Sequence, residues 1–275
     1  MLCGKIIASM RENLKYQIAF VDIDWTILDH NIGDWDYPSL EALKTAQKEG
    51  MLIYLCTARP YDSVFDTGIL DIFHPDGIIC TNGGVAFING KLLFANIIPE
   101  DIVYQIEKVM HRHHLVAELA TNTDRYFTAK PNEYVRRYFK VYREIMPDIR
   151  KYQNKEVSAI LLFAPEKYDE RLIKEFPKEI NYLRFDDHGV DVGYYQNTKG
   201  DGIKRVLKYL NIDKESSIGI GDSNDDISMF NETGLSAAMG NGSDQAKAMA
   251  KQVIPPISEH GVKQLFDQIM SITAH

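Results

Sequence analysis

The sequence predicts an α/β fold, a largely parallel sheet interrupted by an α+β insertion, on three observations. Short apolar runs bounded by turn residues alternate with helix-period segments at both ends of the chain. The alternation stops between residues 83 and 194, where strands and helices mix differently, and then resumes. Acidic side chains stand where two of the apolar runs end, the place where open α/β sheets bind their ligands.

Taken in order, 18–21, 51–56 and 77–80 read as buried strands, because their apolar character is continuous rather than alternating. The helix between the first two is signalled by Pro38 in its first turn, Leu40, Leu43 and Ala46 on one face, and Gly50 just past its end. The insertion opens with a helix after Pro99 that carries Ile102, Ile106 and Val109. A basic aromatic stretch over 125–143, a strand over 156–164, a helix reaching 180 and two strand-like pieces near Tyr182 and Val190 follow. Alternation returns with a helix over 199–210, where Ile203, Val206, Leu207 and Leu210 share a face, a strand over 217–220 and a helix ending at Gly234. A strand at 235–238, a helix at 243–251, a strand at 252–254 and a helix at 258–272 complete the pattern. The expected division is therefore a core of 1–82 and 195–275 around an insertion of 83–194.

The chain has 275 residues with 31 Lys plus Arg against 39 Asp plus Glu, a formal charge of −8 that argues against a nucleic-acid partner. No apolar run approaches the roughly 18 residues of a membrane span, and the patch at 6–8 breaks at Arg11-Glu12, too short for a signal sequence. Cys56 and Cys80 sit in strand-like runs and, with Cys3, make an odd number, so buried free thiols in a soluble cytoplasmic protein are expected. His111, His113 and His114 lack the i, i+4 spacing of a helical metal site and read as a solvated helix end. Lys130, Arg136, Arg137, Lys140 and Arg143, interleaved with Tyr134, Tyr138 and Phe139, read as a helix with one packed and one charged face.

Asp22 and Asp24 follow the first strand, and carboxylates at i and i+2 of an extended segment point the same way. A second strand runs into Gly221-Asp222-Ser223-Asn224-Asp225-Asp226. If these ends are neighbours, each carboxylate pair near 4 Å costs roughly 4 kcal/mol at an effective dielectric of about 20. Such repulsion calls for protons or a cation, and carboxylate oxygens suit Mg²⁺, which in turn recruits phosphate. An EF-hand loop is excluded, since positions 6 and 12 hold Ile27 and Gly33, or Ile227 and Thr233. A phosphate-binding Gly-Lys-Ser/Thr loop and a dinucleotide fingerprint also fail: Gly4-Lys5 precedes Ile6, Gly90-Lys91 precedes Leu92, and Asn224 replaces the third glycine after Gly219 and Gly221.

These residues resemble the haloacid dehalogenase (HAD) superfamily of phosphohydrolases. Asp22, Asp24 and Thr26 match its Asp-x-Asp-x-Thr motif, and Thr57 in Thr57-Ala58-Arg59 its second. Lys199 matches its third motif, and Gly221, Asp222 and Asp226 its Gly-Asp-x-x-x-Asp. The insertion is similar to the C2-type cap of the Cof-like sugar-phosphate phosphatases, and Thr81-Asn82-Gly83-Gly84, which opens it, and Glu259-His260-Gly261-Val262 near the end also resemble that subfamily. The resemblance implies a Rossmann-like core with an inserted cap and a Mg²⁺-dependent phosphomonoester hydrolase acting on a small phosphorylated metabolite. By the same resemblance Asp22 is the nucleophile that forms an aspartyl-phosphate and Asp24 the general acid and base. Thr57, the amide side of Ala58 and Lys199 hold the phosphate; Asp22, Asp24 (by its carbonyl) and Asp222 hold the metal, with Asp225 and Asp226 behind them. Trp25, Ala58 and Asp225 depart from the family, where Gly, Gly and often Asn are usual. A phosphomutase resembling phosphomannomutase and a non-catalytic binder share the pattern. Tyr134 and Arg136 are expected on the cap side of the substrate pocket.

Overall fold

The computed structural model describes residues 14–142, 144–153, 155–185, 187, 189–194 and 197–273. Cys3, the patch at 6–8 and Arg143 lie outside them, and Cys56 and Cys80 are buried free thiols. The first strand, β1 (Ile18–Val21), is buried at every position. A two-stranded hairpin, β2 (Leu28–Asp29) and β3 (Asp34–Trp35), follows and leads into α1 (Tyr37–Lys48). The α1 cap is Asp36, whose side chain accepts the Ser39 N–H, and Gly50 at φ +101° ends the turn beyond it. Next come β4 (Leu52–Cys56), the short α2 (Tyr61–Asp66) and α3 (Ile69–Ile72), β5 (Gly77–Cys80), and a hairpin of β6 (Val85–Ile88) and β7 (Lys91–Ala95).

The chain then builds a second body. It consists of α4 (Glu100–Arg112), β8 (Val116–Ala120), β9 (Arg125–Phe127), α5 (Glu133–Val141), β10 (Ala159–Phe163), α6 (Asp169–Glu175), β11 (Ile180–Arg184) and β12 (Val190–Tyr194). These strands form a five-stranded antiparallel sheet in the order β11-β12-β10-β8-β9. Its own apolar core gathers Ile106, Leu119, Ile160, Leu162 and Val192. The return passage supplies α7 (Lys199–Leu210), β13 (Ser217–Gly221), α8 (Asp226–Asn231), β14 (Leu235–Met239), α9 (Asp244–Met249), β15 (Gln252–Ile254) and α10 (Gly261–Thr273).

The large sheet has the order β15-β14-β13-β1-β4-β5-β6-β7 among the described residues. It is parallel from β15 to β5 and antiparallel from there outward. Helices cover both faces, over separate apolar clusters around Val21, Leu55 and Ile220 on one side and Phe20, Tyr54 and Val206 on the other. The fold is thus α/β with an inserted α+β cap region. The β6–β7 hairpin falls inside the 83–194 span expected for the insertion and pairs with β5, where Cys80 and Val85 stand opposite each other and carry the sheet onward. No helix among the described residues is long and apolar enough to cross a membrane.

Candidate active site

The placement of β1 creates the site. It pairs in parallel with β4 on one side and β13 on the other, so the chain leaves it in one direction and later returns in the opposite one. At such a reversal the strand ends splay and leave a crevice. Asp22 follows β1 and donates its N–H to the Ile220 carbonyl at 2.9 Å; Thr57 follows β4 and donates to Ile79 at 2.9 Å. Asp222 follows β13. Lys199 begins α7, whose cap Thr198 accepts the Asp201 N–H at 3.1 Å. The helix start lies against the loop after β5 because Gly83, at φ +89°, has no side chain: a Cβ there would stand 1.9 Å from the Thr198 carbonyl oxygen.

Asp22 and Lys199 meet Asp225 and Asp226 in a charge cluster. Lys199 Nζ donates to Asp22 Oδ1 at 2.8 Å and to Asp226 Oδ1 at 2.6 Å, and pairs with Asp225 Oδ2 at 3.1 Å. The second Asp226 oxygen accepts the N–H groups of Asp222 at 2.9 Å and Ser223 at 3.0 Å. Gly221 makes room for it, since a Cβ there would lie 2.3 Å from Asp226 Oδ2. Burial, opposed by Lys199 and reinforced by the neighbouring acids, pushes the Asp22 carboxyl well above the usual range; burial and the neighbouring acids do the same to Asp222. Burial pulls the Lys199 ammonium down, but Asp22, Asp225 and Asp226 together hold it well above its ordinary value.

Oxygens of Asp22, Asp222 and Asp226 lie within 4.8 Å of one another. Three hard, buried acidic donors with one ammonium for charge balance fit a divalent cation. Because both Asp226 oxygens are already engaged, Asp22 and Asp222 are the better placed to bind it, with Asp226 holding them in position.

Asp24 has a different environment. Arg59 grips it with two hydrogen bonds, Nε to Oδ2 at 2.9 Å and Nη2 to Oδ1 at 2.7 Å, and His30 Nε2 lies 2.6 Å from Oδ1. Burial pushes this carboxyl up, but the Arg59 guanidinium and then His30 hold it well below the usual range. The expected general acid is thus held ionised in this arrangement, without the proton it has to donate. Arg59 also donates to Glu144 Oε1 of the cap at 2.7 Å, and Glu144 Oε2 accepts from Arg125 at 2.5 Å. Arg125 returns to the core through Asp62, at 3.2 Å, and Asp66. This chain of alternating charges fastens the cap over the strand ends.

Beneath the cap lies a cavity of about 590 Å³. Asp22, Asp24, Thr57, Ala58, Lys199, Asp222 and Asp225 all line it, and Asp226 is fully buried under Lys199. The expected site residues are therefore brought together, but the cap wall differs from expectation. Tyr138, Val141 and Tyr142 of the α5 end line it rather than Tyr134 and Arg136; Arg136 instead donates to the Pro131 carbonyl at 3.0 Å on the exposed side. Trp25, also in the wall, holds φ +59°, a left-handed backbone that costs a non-glycine residue roughly 1–3 kcal/mol. Sequence reasoning did not single out His30, Glu118, Glu144 or Phe185. Arg59 was visible as the third residue of Thr57-Ala58-Arg59, whereas Glu144 meets it across 85 residues with no motif to announce the contact.

A buried acid cluster at the reversal point of a parallel sheet, covered by an inserted cap, fits a class of phosphoryl-transfer hydrolase. The model of the haloacid dehalogenase-like hydrolases matches residues 19–266, so the chain belongs to that family and is a hydrolase of its phosphatase type. Among curated relatives it is 25% identical to phosphatase YwpJ of Bacillus subtilis, over 92% of this chain and all of that one. It is 24% identical to the 5-amino-6-(5-phospho-D-ribitylamino)uracil phosphatase YitU of the same organism, over 95% of this chain and all of that one. Among solved structures, the HAD subclass IIB sugar phosphatase BT4131 shares the fold with a TM-score of 0.83 at 24% identity, covering 92% of this chain and 99% of that one.

Proposed function

We propose that the chain is a Mg²⁺-dependent phosphomonoester hydrolase of small phosphorylated metabolites that works through an aspartyl-phosphate on Asp22. The carrying observation is the buried Asp22 carboxylate, one oxygen fixed on Lys199, at the floor of a cap-covered cavity. An Asp22 oxygen attacks phosphorus in line as the bond to the alcohol oxygen breaks, and Asp24 gives that oxygen a proton. Water then adds to phosphorus, passing its proton to Asp24; the Asp22–phosphorus bond breaks and phosphate leaves. Before the first step Asp24 has to release Arg59, for which an incoming phosphate dianion competes, and take up a proton from solvent, which its burial favours once the guanidinium is gone. Thr57, the amide at Ala58 and Lys199 bind the phosphoryl oxygens. Asp22, Asp222 and the Asp24 carbonyl would hold Mg²⁺, which when bound neutralises phosphoryl charge.

The cap is read as C2-type and the chain as Cof-like, with the division of core from cap near Asn96 and Asn197. Those two side chains bond at 2.8 Å where the chain crosses between the bodies. The buried thiols agree with a cytoplasmic setting. A phosphate-release screen over phosphorylated metabolites, with and without Mg²⁺, tests the reading. Free phosphate is the expected product, where a mutase gives an isomer and a binder gives neither. Asp22→Asn is expected to abolish release in a folded protein, and retention of more than a few percent of the rate refutes the nucleophile.

A further inference from the structure

Trp25 is an expensive residue at its position. Glycine adopts a left-handed backbone without strain, yet this chain keeps an indole at φ +59° directly after Asp24. Its peptide is fixed in that conformation by the Leu28 carbonyl, which accepts the Trp25 N–H at 2.9 Å, and by Asn241, which donates to the Trp25 carbonyl at 2.9 Å. What the strain secures is the location of the ring, in the cavity wall beside both catalytic acids.

That ring starts a series. The indole lies 5.0 Å from the His30 imidazole, which lies 5.2 Å from Tyr142. Tyr142 is 4.5 Å from Tyr138 and 6.4 Å from Phe185, and Tyr138 and Phe185 are 5.7 Å apart. The belt therefore crosses from the core strand end to the cap, and four of its rings, Trp25, Tyr142, Tyr138 and Phe185, line the cavity. A site for a bare polyol needs many hydrogen-bonding groups on its cap side. Here the cap's Arg184 is committed to Asp169 and the Ala164 carbonyl, and Asp191 accepts from Asn82. Glu118, buried in the same wall with Arg125 at 3.4 Å, is the cap acid that remains for a ligand among the described residues. Rings at these spacings accept another flat ring edge-on or offset, and the cavity is of the size that encloses a drug-sized molecule.

We infer that the alcohol portion of the substrate carries a flat heteroaromatic ring, held against Trp25 and Tyr142, with a ring N–H or O–H directed to Glu118. This rests on the reading of Asp22 as the nucleophile of a phosphomonoester hydrolase. Trp25 and Tyr142 are then specificity residues, and the strain at Trp25 is retained because it places a ring where the leaving group sits.

Two measurements test it separately from that reading. Phosphate release with Mg²⁺ is compared for flavin mononucleotide and pyridoxal 5′-phosphate against glucose 6-phosphate, ribose 5-phosphate and glycerol phosphate. Binding of the same esters to the Asp22→Asn protein is measured by calorimetry. A ring-bearing ester is expected to exceed the best ring-free one by about tenfold or more in kcat/KM and in affinity, the scale of one or two ring contacts. Trp25→Gly, which relieves the backbone, and Tyr142→Leu should bring that ratio toward one. Equal or better binding of ring-free esters, or a ratio unmoved in Trp25→Gly, overturns the inference. Preferential binding of ring-bearing esters with no phosphate released from any ester instead overturns the hydrolase reading, and release that persists in Asp22→Asn overturns the nucleophile assignment, while the ring preference in binding stands in either case.

Discussion

Replacing Lys199 by methionine, close in volume and without charge, isolates the ammonium that balances the acid cluster. The side chain is 2% exposed and contacts carboxylate oxygens of Asp22, Asp226 and Asp225 at 2.8, 2.6 and 3.1 Å. At an effective dielectric of about 20, each such contact is a gross attraction of about 5–6 kcal/mol. The cost of burying the ammonium and proton uptake by the acids offset most of the sum. Breaking a buried pair by removing one partner leaves a net loss of about 3–5 kcal/mol. For a chain of this size that is a fall in Tm of roughly 5–9 °C, read by circular dichroism at neutral pH without divalent ions. Mg²⁺ should then raise Tm more in Lys199→Met than in the wild type, since the cation meets one more unbalanced negative charge, while turnover falls for every substrate alike. A Tm within about 2 °C of wild type, or an equal Mg²⁺ increment in the two proteins, refutes the charge-balance argument.

Three further outcomes follow from the same geometry. Saturating Mg²⁺ should raise the wild-type Tm, and Asp222→Ala should erase most of that rise; indifference of the wild type to Mg²⁺ in a thermal melt removes the metal site. Gly221→Ala puts a methyl group 2.3 Å from Asp226 Oδ2, so it should displace that carboxylate and lower both Tm and kcat, and a variant with wild-type values shows that the position is not packed as described. Burial, opposed by Arg125 and supported by Glu144 and Asp62, pushes the Glu118 carboxyl up to about 8. A carboxyl raised on folding binds more protons in the native state, so its charge costs stability progressively from about pH 4.3 up to that value. Arg125 keeps Glu144, Asp62 and Asp66 as partners, and Glu118→Gln should therefore raise Tm at pH 8 but not at pH 4; an equal shift at both values refutes the assignment.

The central strands were legible because burial on both faces leaves them continuously apolar, and the four motifs because each follows such a strand or opens a helix. β8 was not, since Val-Ala-Glu-Leu-Ala consists mostly of good helix formers and only its pairing with β9 and β10 makes it a strand. The β6–β7 hairpin escaped for a related reason: its antiparallel edge breaks the alternating rhythm that marked the rest of the large sheet. At the site, Asp22, Lys199 and Asp222 carry local signatures. The grip of Arg59 on Asp24 and the bridge to Glu144 depend on how the cap lies on the core, and they hold the expected general acid in its ionised form.

Asp22 and Lys199 are 177 residues apart, and β1 faces β13 with Ile18 opposite Ser217. During synthesis at roughly 5–20 residues per second, the interval between the two strands lasts on the order of 10–40 s. Throughout it β1 presents an unpaired apolar edge of the kind that recruits wrong partners, while the cap strands, contiguous in sequence, can pair among themselves. Ribosome-bound chains that stop before Lys199 should consequently hold a structured cap beside an open half-sheet and depend on chaperones. The charge cluster closes only when the last third of the polypeptide emerges.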